Sequence, residues 1–370
     1  MIYLDNAATT RPVDMVLDGA VSEMKAQGFY NPSALYKSAM AVKSKIENVR
    51  KDILRFFPLG YDLVYTSGGT EGDNLALFSC VNRGNVVSTA GEHSAVYNCI
   101  NQIKQNGVEG RFAKLNKDGS VDVDNLLSLV DEKTTLVSVV HVNNETGAIN
   151  DINHIAKLVK QKNSKVIFHS DGVQAFLKIP HKITSFVDLY TISAHKICAL
   201  KGTGALIYKK GVHIKSMIFG GGQEKNIRSG TENTFGIYAM GIAVKLFSNV
   251  EENYDKAIFL RNLFIDRISK HATIISGENS SPYIISISIP GVKAEIMQRV
   301  LEDSGIVVGT GSACSSKLGT SRIISNLGID KKTAEGVLRI SLIYTTTKEE
   351  VETGAEAIIE CANQLRKALR

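Results

Sequence analysis

The hydrophobic pattern between residues 62 and 208 switches repeatedly between two kinds of segment. Short runs rich in β-branched residues alternate with longer stretches in which apolar residues recur at helical spacing. This alternation is typical of βα units arranged around a mostly parallel sheet. The predicted strands are residues 62–66, 85–89, 136–142, 165–169, 189–192 and 205–208, and the predicted helices are 72–82, 94–106, 122–131 and 151–162. A Ser or Asp that opens several of these helices can cap the first turn.

The pattern changes after residue 208. One long helical segment, about residues 237–264, is predicted to lead the chain out of the first sheet. Beyond it lie two apolar runs, 283–289 and 337–342, a helix near 294–303, and a last helix that Thr347 and Glu350 open as a capping box. We therefore predict an α/β protein with a large domain of residues 14–247 and a smaller α+β domain of residues 1–13 and 248–370.

Composition places the chain among globular proteins. Its 370 residues are 44% hydrophobic and 22% charged, which suits two domains. No run approaches the roughly 18 apolar residues of a spanning helix, and the N-terminus lacks the features of a signal peptide, so we expect a cytoplasmic protein without membrane contact. The five cysteines include no CxxC pair, which predicts reduced thiols and no metal site. The net charge of +6 is scattered and does not indicate nucleic-acid binding.

The first candidate for chemistry is a lysine at a predicted strand end. Ser193, His195 and Lys196 follow the apolar run 189–192. A partly desolvated lysine beside a histidine could have a lowered amine pKa and form a Schiff base with a carbonyl. Pyridoxal phosphate is the most economical carbonyl. An ordinary surface lysine after a buried strand is the alternative for this short motif taken alone.

A second motif, TSGGTEGDN at residues 66–74, lies between a predicted strand and a helix start. Its two glycines and the Thr70 hydroxyl are suited to an anion, because free backbone amides at a helix N-terminus bind phosphate. A tight strand-to-helix turn is the alternative interpretation. No GK[ST] follows, so the motif is not a P-loop.

Three more predicted strands end in polar residues. His93 could lie on a cofactor ring or move a proton, Asn144 could donate to a ring oxygen, and Asp171 could pair with a pyridinium nitrogen. A buried carboxylate needs such a cationic partner. A structural histidine, an Asn-rich turn and a capping Asp are the corresponding alternatives. One βα unit separates Asp171 from Lys196, which places both on nearby strands at the edge where ligands bind.

In this order the residues resemble fold-type-I pyridoxal phosphate enzymes, and in particular the cysteine desulfurase family. The resemblance runs almost from end to end and rests on nine ordered motifs: YLDNAATT (3–10), NPSA (31–34), TSGGTEGDN (66–74), EHSAV (92–96), HVNNETG (141–147), SAHK (193–196), RSGTEN (228–233), GSACSS (311–316) and LRISL (338–342). It implies a large domain with a seven-stranded, mostly parallel sheet flanked by helices, and a smaller α+β domain.

The resemblance also implies a role for each matching residue. Lys196 would carry the Schiff base and His93 would stack on the ring. The ring oxygen would be contacted by Asn144 and Gln174, the ring nitrogen by Asp171, and the phosphate by Gly69, Thr70, Ser193 and His195. Thr231 of RSGTEN would reach the phosphate of the other subunit, which implies a homodimer.

Two further residues are assigned to the substrate. Cys314 lies in a glycine- and serine-rich stretch that predicts a loop, although a lone cysteine is more often a small buried hydrophobe. In the family its thiolate takes the sulfur of L-cysteine, leaving alanine and an enzyme persulfide. Arg339, if it faces inward from an apolar strand, could bind the substrate carboxylate, with Asn144 nearby. No metal is predicted, apart from a possible cluster ligated by Cys314 together with a partner.

The sequence departs from the family pattern at two places. Leu35-Tyr36 follows NPSA where the family commonly has a histidine, and Ile343-Tyr344 follows LRISL where it usually has Gly-Arg. The second change concerns part of the wall that the smaller domain gives to the site. The stretch from the GSAC motif to Arg339 is also slightly shorter than in housekeeping desulfurases.

We therefore predict an L-cysteine desulfurase that passes persulfide sulfur to an acceptor protein for iron–sulfur clusters or for tRNA or cofactor thiolation. The alternatives within the class are a selenocysteine lyase and another class-V aminotransferase, although an aminotransferase would not need Cys314. The alternative from another class is a non-catalytic α/β binding protein. It is disfavoured because GxGxxG follows none of the predicted strands.

Overall fold

The computed structural model describes residues 1–81, 84–311 and 321–368. The strands are β1 Ile2–Leu4, β2 Tyr61–Thr66, β3 Asn85–Thr89, β4 Glu109–Ala113, β5 Thr134–Ser138, β6 Ile167–Asp171, β7 Leu189–Ser193, β8 Gly204–Lys209, β9 Thr273–Ile274, β10 Ile284–Ser288, β11 Ile306–Thr310 and β12 Val337–Ser341. The helices are α1 Asp14–Glu23, α2 Lys37–Leu54, α3 Gly69–Cys80, α4 Ser94–Gln105, α5 Val123–Leu129, α6 Ile152–Lys162, α7 Thr234–Leu246, α8 Val250–Ile268, α9 Ala294–Asp303, α10 Arg322–Ser325, α11 Lys331–Glu335 and α12 Lys348–Ala368.

Seven strands form the larger sheet, in the order β2-β8-β7-β6-β5-β3-β4. Strands β4, β3, β5, β6 and β7 run parallel, and β8 is antiparallel to both β7 and β2. Strands β3 and β7 are buried along their whole length, as expected where helices cover both faces of a parallel sheet. The mostly parallel, seven-stranded α/β fold predicted from the sequence is confirmed.

Helices α3 to α6 connect the parallel strands, and their first turns explain where they begin. The side chains of Asp122 and Asp151 accept hydrogen bonds from the amides of Asn125 and His154, at 2.9 and 3.1 Å. Such caps satisfy amides that have no partner inside the helix. At α4 the capping residue is His93, and not the predicted Ser94.

Five strands form the second sheet, in the order β1-β11-β12-β10-β9. The N-terminal strand β1 runs parallel to β11, so that Leu4 lies beside Val308 in the ladder. The remaining pairs are antiparallel. The first strand of the chain therefore belongs to the same sheet as strands near its C-terminus, and the division into residues 14–247 and residues 1–13 with 248–370 stays a prediction.

The predicted single helix over residues 237–264 is wrong, because the chain forms two helices, α7 and α8, there. The break falls at Phe247, Ser248 and Asn249. The Ser248 hydroxyl donates to the carbonyl of Lys245, 2.9 Å away. Short polar side chains compete in this way for backbone groups and favour helix ends. Residues 139–142, predicted as strand, instead continue beyond the end of β5 toward the candidate site.

Several elements carried no sequence prediction, among them α1, α2, the edge strand β4, and strands β1 and β11. None of the helices in the described ranges combines the length and the apolar character needed to cross a membrane.

Candidate active site

A cavity of about 310 Å³ lies at the carboxyl ends of the parallel strands. Ten residues predicted for the site line it: Gly69, Thr70, His93, Asn144, Asp171, Gln174, Ser193, His195, Lys196 and Arg339. They converge because parallel strands end at the same edge of the sheet, so that residues distant in sequence meet there. The cavity is also lined by residues that sequence reasoning did not assign: Ala7, Ala8, Asp73, Glu92, Glu145 and Arg322.

Lys196 closes a single turn of 3-10 helix, Ala194–Lys196, directly after β7. Its amine donates to the carbonyl oxygens of Ala7, at 2.5 Å, and Ala8, at 2.7 Å. Both acceptors belong to the N-terminal segment, which therefore holds the amine against the cavity wall.

Asp171 is the last residue of β6 and is 5% exposed. One carboxylate oxygen accepts a hydrogen bond from the amide of Val173 at 2.9 Å. Burial raises the pKa of Asp171, while interactions with the His93 ring and the Lys196 amine oppose that shift. A cationic ring nitrogen in the cavity would complete the compensation of this buried charge.

His93 is held at the N-terminus of α4, where its Nδ1 accepts a hydrogen bond from the amide of Ala95 at 3.2 Å. Burial lowers the pKa of His93. The ring is therefore neutral at physiological pH, and since Nδ1 is an acceptor, its proton lies on Nε2.

Two carboxyl groups lie behind Asp171. Glu92 is fully buried and accepts hydrogen bonds from the Thr89 hydroxyl at 2.7 Å and the Val140 amide at 2.9 Å. Burial raises the pKa of Glu92 to about 8 and that of Asp73 well above its usual value. Both groups are therefore protonated at neutral pH. The motifs TSGGTEGDN and EHSAV contain them, but nothing in those motifs marks them as buried.

The cavity fits a phosphate group at the start of α3. Gly69 and Thr70 begin this helix, whose free amides suit an anion. The hydroxyl oxygen of Ser193, at the end of β7, is buried and has no hydrogen-bond partner among the described residues. Gly69 is required by close packing, because a Cβ there would lie 2.8 Å from a methyl carbon of Val173.

The side-chain oxygen of Asn144 is also buried without a partner in the described part of the chain. Gln174 is 4% exposed and donates from Nε2 to the carbonyl of Ala7 at 2.8 Å. The unsatisfied Asn144 and Ser193 oxygens, together with Asp171 and Lys196, fit a ligand that carries a phosphate, a basic ring nitrogen and a carbonyl.

Arg339, in the middle of β12, faces the cavity and is 6% exposed. One Nη donates to the carbonyl of Asn144 at 2.9 Å, and the other pairs with the carboxylate of Asp5 at 2.8 Å. Its Nε has no partner in the described ranges. The inward direction of the Arg339 side chain fits the hypothesis that it binds the substrate carboxylate. The guanidinium already has one anionic partner within the protein, Asp5, which the sequence analysis did not identify.

The model of the family described as aminotransferase class-V matches residues 2–353. The chain belongs to this family. Among its relatives, the cysteine desulfurase IscS of Dictyoglomus turgidum is 33% identical over 378 residues, which cover 99% of this chain and 95% of the relative. The solved structure of a NifS-like protein from Rickettsia africae is 34% identical with a TM-score of 0.89, and covers 98% of this chain and 99% of its own. Another solved structure, of a NifS-like protein, is 30% identical with a TM-score of 0.91 over 98% and 99% of the two chains.

Membership in the class-V aminotransferase family confirms the family assignment made from the nine motifs. It also argues against the alternative of a non-catalytic α/β binding protein. The relatives named as desulfurases match over nearly their whole length, so the likeness covers both sheets and the cavity between their ends.

The two departures from the family pattern lie away from the cavity lining. Tyr344 is buried, stacks on Phe247 with 4.2 Å between ring centroids, and donates to the carbonyl of Leu177 at 3.1 Å. Tyr36 is half exposed at the start of α2 and meets the ring of Tyr30 edge-on at 5.7 Å. The Ile343-Tyr344 change therefore fills the core, and does not remove part of the site wall.

Two predicted site residues, Thr231 and Cys314, are not found among the described residues that line this cavity. Thr231 is exposed and does not line the cavity, so its assignment to the site of a second subunit stays a prediction. Cys314 lies outside the described residues, between Gly311 and Ser321. Among the described residues, Glu145 lines the cavity, its side chain is hydrogen-bonded to Ser321, and burial raises its pKa to about 7.

Proposed function

We propose that this protein is a pyridoxal phosphate-dependent L-cysteine desulfurase. The observation that carries the proposal is the convergence, in one cavity of a class-V aminotransferase, of the Lys196 amine, the Asp171 carboxylate and the unsatisfied Ser193 hydroxyl at the start of α3. Relatives named as cysteine desulfurases support the choice of substrate.

In this proposal the residues that would hold the cofactor are polar residues that line the cavity. The amides of Gly69 and Thr70, with Ser193 and His195, would hold the phosphate. Asp171 would pair with the ring nitrogen, Asn144 and Gln174 would contact the ring oxygen, and His93 would stack on the ring. When bound, pyridoxal phosphate supplies an electron sink that stabilises negative charge on the substrate carbon.

The remaining groups bind the substrate and move protons. Arg339 binds the carboxylate of L-cysteine with the donors that Asp5 and the Asn144 carbonyl leave available. The Lys196 amine, released from the carbonyls of Ala7 and Ala8, accepts and returns a proton. His93 is neutral and carries its proton on Nε2, so it can also donate at neutral pH.

We assign sulfur removal to Cys314. Its thiolate bonds to the sulfur of L-cysteine as the carbon–sulfur bond breaks. The electron pair of that bond stays with the carbon, which takes up a proton to give L-alanine, and the sulfur remains on Cys314 as a persulfide. We propose that the persulfide passes to an acceptor protein of iron–sulfur cluster assembly or of tRNA or cofactor thiolation in the cytoplasm.

We also propose a homodimer. Large apolar side chains are exposed near the NPSA motif, including Phe29, Leu35 and Met40, and Phe219 is 82% exposed close to the RSGTEN segment. A second copy that covers these side chains would remove them from water and place Thr231 at the neighbouring phosphate site.

The direct test adds pyridoxal phosphate to the purified protein. We expect an absorbance band in the visible range, which borohydride reduction converts into a pyridoxyl group on the peptide that contains Lys196. The reconstituted protein should release alanine from L-cysteine. Lys196→Ala should abolish turnover, because no other side chain at the end of β7 supplies the amine.

Lys201→Ala is the matched control, since Lys201 is an exposed lysine in the same connection between β7 and β8. It should keep the band and the activity. A folded protein that never acquires the visible band would refute the cofactor assignment, and turnover by Lys196→Ala at the wild-type rate would refute the role of the amine.

A further inference from the structure

His141, the first residue of the HVNNETG motif, has no role in the proposed function and lies inside the protein. The amides of residues 139 and 141 donate to carbonyls of β6 at 3.1 and 2.9 Å, so this segment runs extended beside β6. Successive side chains of an extended segment point to opposite sides. Val140 and Val142 line the active-site cavity, whereas His141 lines a second cavity on the other side.

This rear cavity has a volume of about 590 Å³, and no described residue lines both it and the active-site cavity. Its walls come from the residues that follow α2, from the connection between β6 and β7, and from the start of α8. The lining is mostly apolar and includes Phe56, Phe57, Phe176, Leu177, Ile183 and Tyr190. A cavity of roughly 300–1,000 Å³ with apolar walls and few polar groups is typical of small-molecule sites.

His141 brings an unsatisfied polar atom to the rear cavity. The residue is 1% exposed, and its Nδ1 lies 2.8 Å from the Tyr190 hydroxyl. That hydroxyl has no other partner in the described ranges, so it donates to Nδ1, since otherwise its own proton would be buried unpaired. The ring proton of His141 therefore lies on Nε2. The Nε2 atom has no hydrogen-bond partner among the described residues, which leaves a buried N–H donor.

A second histidine borders the rear cavity with the same polarity. The His181 ring meets that of His141 edge-on, with 4.5 Å between centroids. Its Nε2 lies 2.9 Å from Nδ2 of Asn153. The orientation of that amide is fixed, because its oxygen accepts from the Thr184 amide and its nitrogen also donates to the Lys182 carbonyl. Nε2 of His181 is therefore an acceptor, and its proton lies on Nδ1. Burial lowers the pKa of both rings, so both are neutral at pH 7.

We propose that the rear cavity is a second small-molecule site, which binds an uncharged aromatic compound whose carbonyl oxygen accepts the Nε2 proton of His141. This inference is independent of the proposed function, because no described residue assigned to pyridoxal phosphate or L-cysteine lines the rear cavity.

The aromatic part of the ligand follows from the cavity wall. Phe176 stacks on Phe57 with 6.2 Å between ring centroids, and Phe56 meets Phe176 edge-on at 5.5 Å. Tyr190 meets Phe57 edge-on, also at 5.5 Å. Aromatic rings favour stacked and edge-to-face contacts with one another. A flat ring in the rear cavity would extend this cluster and be removed from water.

The carbonyl and the absence of charge follow from the polar groups. Both histidines have their acceptor nitrogen occupied, so a ligand that carries only donors would leave the His141 Nε2 proton unsatisfied. The charges at the cavity rim offset one another. Arg55 pairs with the Asp52 carboxylate at 3.0 Å, and the exposed Lys182 and Glu251 carry opposite charges. A charged ligand would therefore lose hydration without gaining a partner of opposite charge.

The test uses the full-length protein incubated with pyridoxal phosphate, and 4-fluorobenzamide as the probe. This compound is uncharged and joins a flat ring to a carbonyl oxygen. Its fluorine NMR signal should broaden and shift on binding, and a titration gives the dissociation constant. 4-Fluorotoluene has the same ring without the carbonyl, and should bind about fivefold more weakly because it accepts no hydrogen bond from His141.

Two variants locate the probe in the molecule. His141→Phe removes the donor but keeps an aromatic ring, and should abolish the difference in affinity between the two probes. Ser248→Trp, at an exposed position that lines the rear cavity, should cause loss of binding of both probes, because the indole occupies their space. His154→Phe, at an exposed histidine of α6 outside the cavity lining, is the control and should leave both affinities unchanged.

Failure of the wild type to bind 4-fluorobenzamide would overturn the proposal, and so would equal affinity for the two probes. Undiminished binding by a folded Ser248→Trp protein would place the probe elsewhere. Displacement of the probe by added pyridoxal phosphate would place it in the active-site cavity, which also contradicts the proposal. The comparison of the two probes on the wild type needs no variant, so it decides even if His141→Phe fails to fold.

Discussion

At the scale of single residues, burial decides which groups of the cavity carry charge. Asp73, Glu92 and Asp171 all lie within the protein, and burial raises the pKa of each. Asp171 differs because interactions with His93 and Lys196 favour its ionised form, whereas the charge of Asp171 contributes to the raised pKa values of Asp73 and Glu92. One carboxylate therefore remains for a cationic ring nitrogen, since several buried like charges cannot all ionise.

The prediction at this scale concerns Cys314. Cys314→Ser should stop alanine release from L-cysteine, because a hydroxyl is far less acidic than a thiol and is a poor nucleophile toward sulfur. The variant should still show the spectral change that follows cysteine binding, since Lys196 and Arg339 are intact. Mass spectrometry should find no persulfide on the peptide of residues 311–316. Cleavage of selenocysteine should persist measurably, because selenium leaves more readily than sulfur.

Cys361→Ser, in α12, is the control, because Cys361 is a buried cysteine far from Cys314 in the sequence and should not affect desulfuration. Undiminished alanine release by Cys314→Ser would show that the thiol has no role in sulfur removal. The lyase or aminotransferase alternatives would then describe the activity better.

At the scale of elements, helix α12 shows how a local motif sets a boundary. The amide of Glu350 donates to the Thr347 hydroxyl at 3.2 Å, and the amide of Thr347 donates to the Glu350 carboxylate at 2.9 Å. These reciprocal bonds form the capping box predicted from the sequence. The helix buries Val351 and Ile358 against the core and packs on α8, α9 and β1, so its first turn supports the smaller sheet.

Thr347→Ala removes the capping hydroxyl and should lower the free energy of unfolding by about 1 kcal/mol. Urea denaturation followed by circular dichroism measures this loss. Thr347→Ser keeps the hydroxyl and should restore most of the stability. If the alanine and serine variants unfold at the same urea concentration, the capping box does not contribute to stability.

At the scale of the whole molecule, the cavity is built from two sheets. The strand ends of the larger sheet supply Asp171 and Lys196, while Arg339 comes from β12 and Thr310 from β11 of the smaller sheet. The N-terminal segment joins them, since Asp5 pairs with Arg339 and Ala7 accepts from Lys196. A site assembled this way depends on both sheets being folded, so damage to either should reduce cofactor binding.

The prediction at this scale tests whether two subunits share their sites. Thr231→Ala and Lys196→Ala proteins should each have little activity, but a mixture should recover some. In a heterodimer one site then contains both wild-type residues, which gives roughly a quarter of the wild-type activity after random exchange at equal amounts.

Native mass spectrometry of differently tagged subunits verifies the exchange. If verified heterodimers are no more active than the mean of the two parents, Thr231 does not complete the site of a second subunit.

Sequence patterns alone predicted six of the seven strands of the larger sheet, all except β4, and the residues at the ends of those strands. Both are local properties. Hydrophobic periodicity identifies a strand such as β7 without reference to the rest of the chain, and a polar residue that follows it, such as Lys196, is placed at the strand end by adjacency. Because parallel strands end at one edge, these local assignments were enough to predict which side chains converge.

Which side chains are buried, which charges pair and where a helix breaks all depend on the tertiary structure. Asp5 and Arg339 are 334 residues apart, and their ion pair exists because β1 and β12 lie in one sheet. Lys178 reads as an ordinary lysine in the sequence, yet packing encloses it beside Gln174. The break between α7 and α8 is also not visible in the sequence, because apolar residues recur at helical spacing in both segments. Burial and long-range pairing depend on the summed packing of the whole chain, and no local pattern encodes that sum.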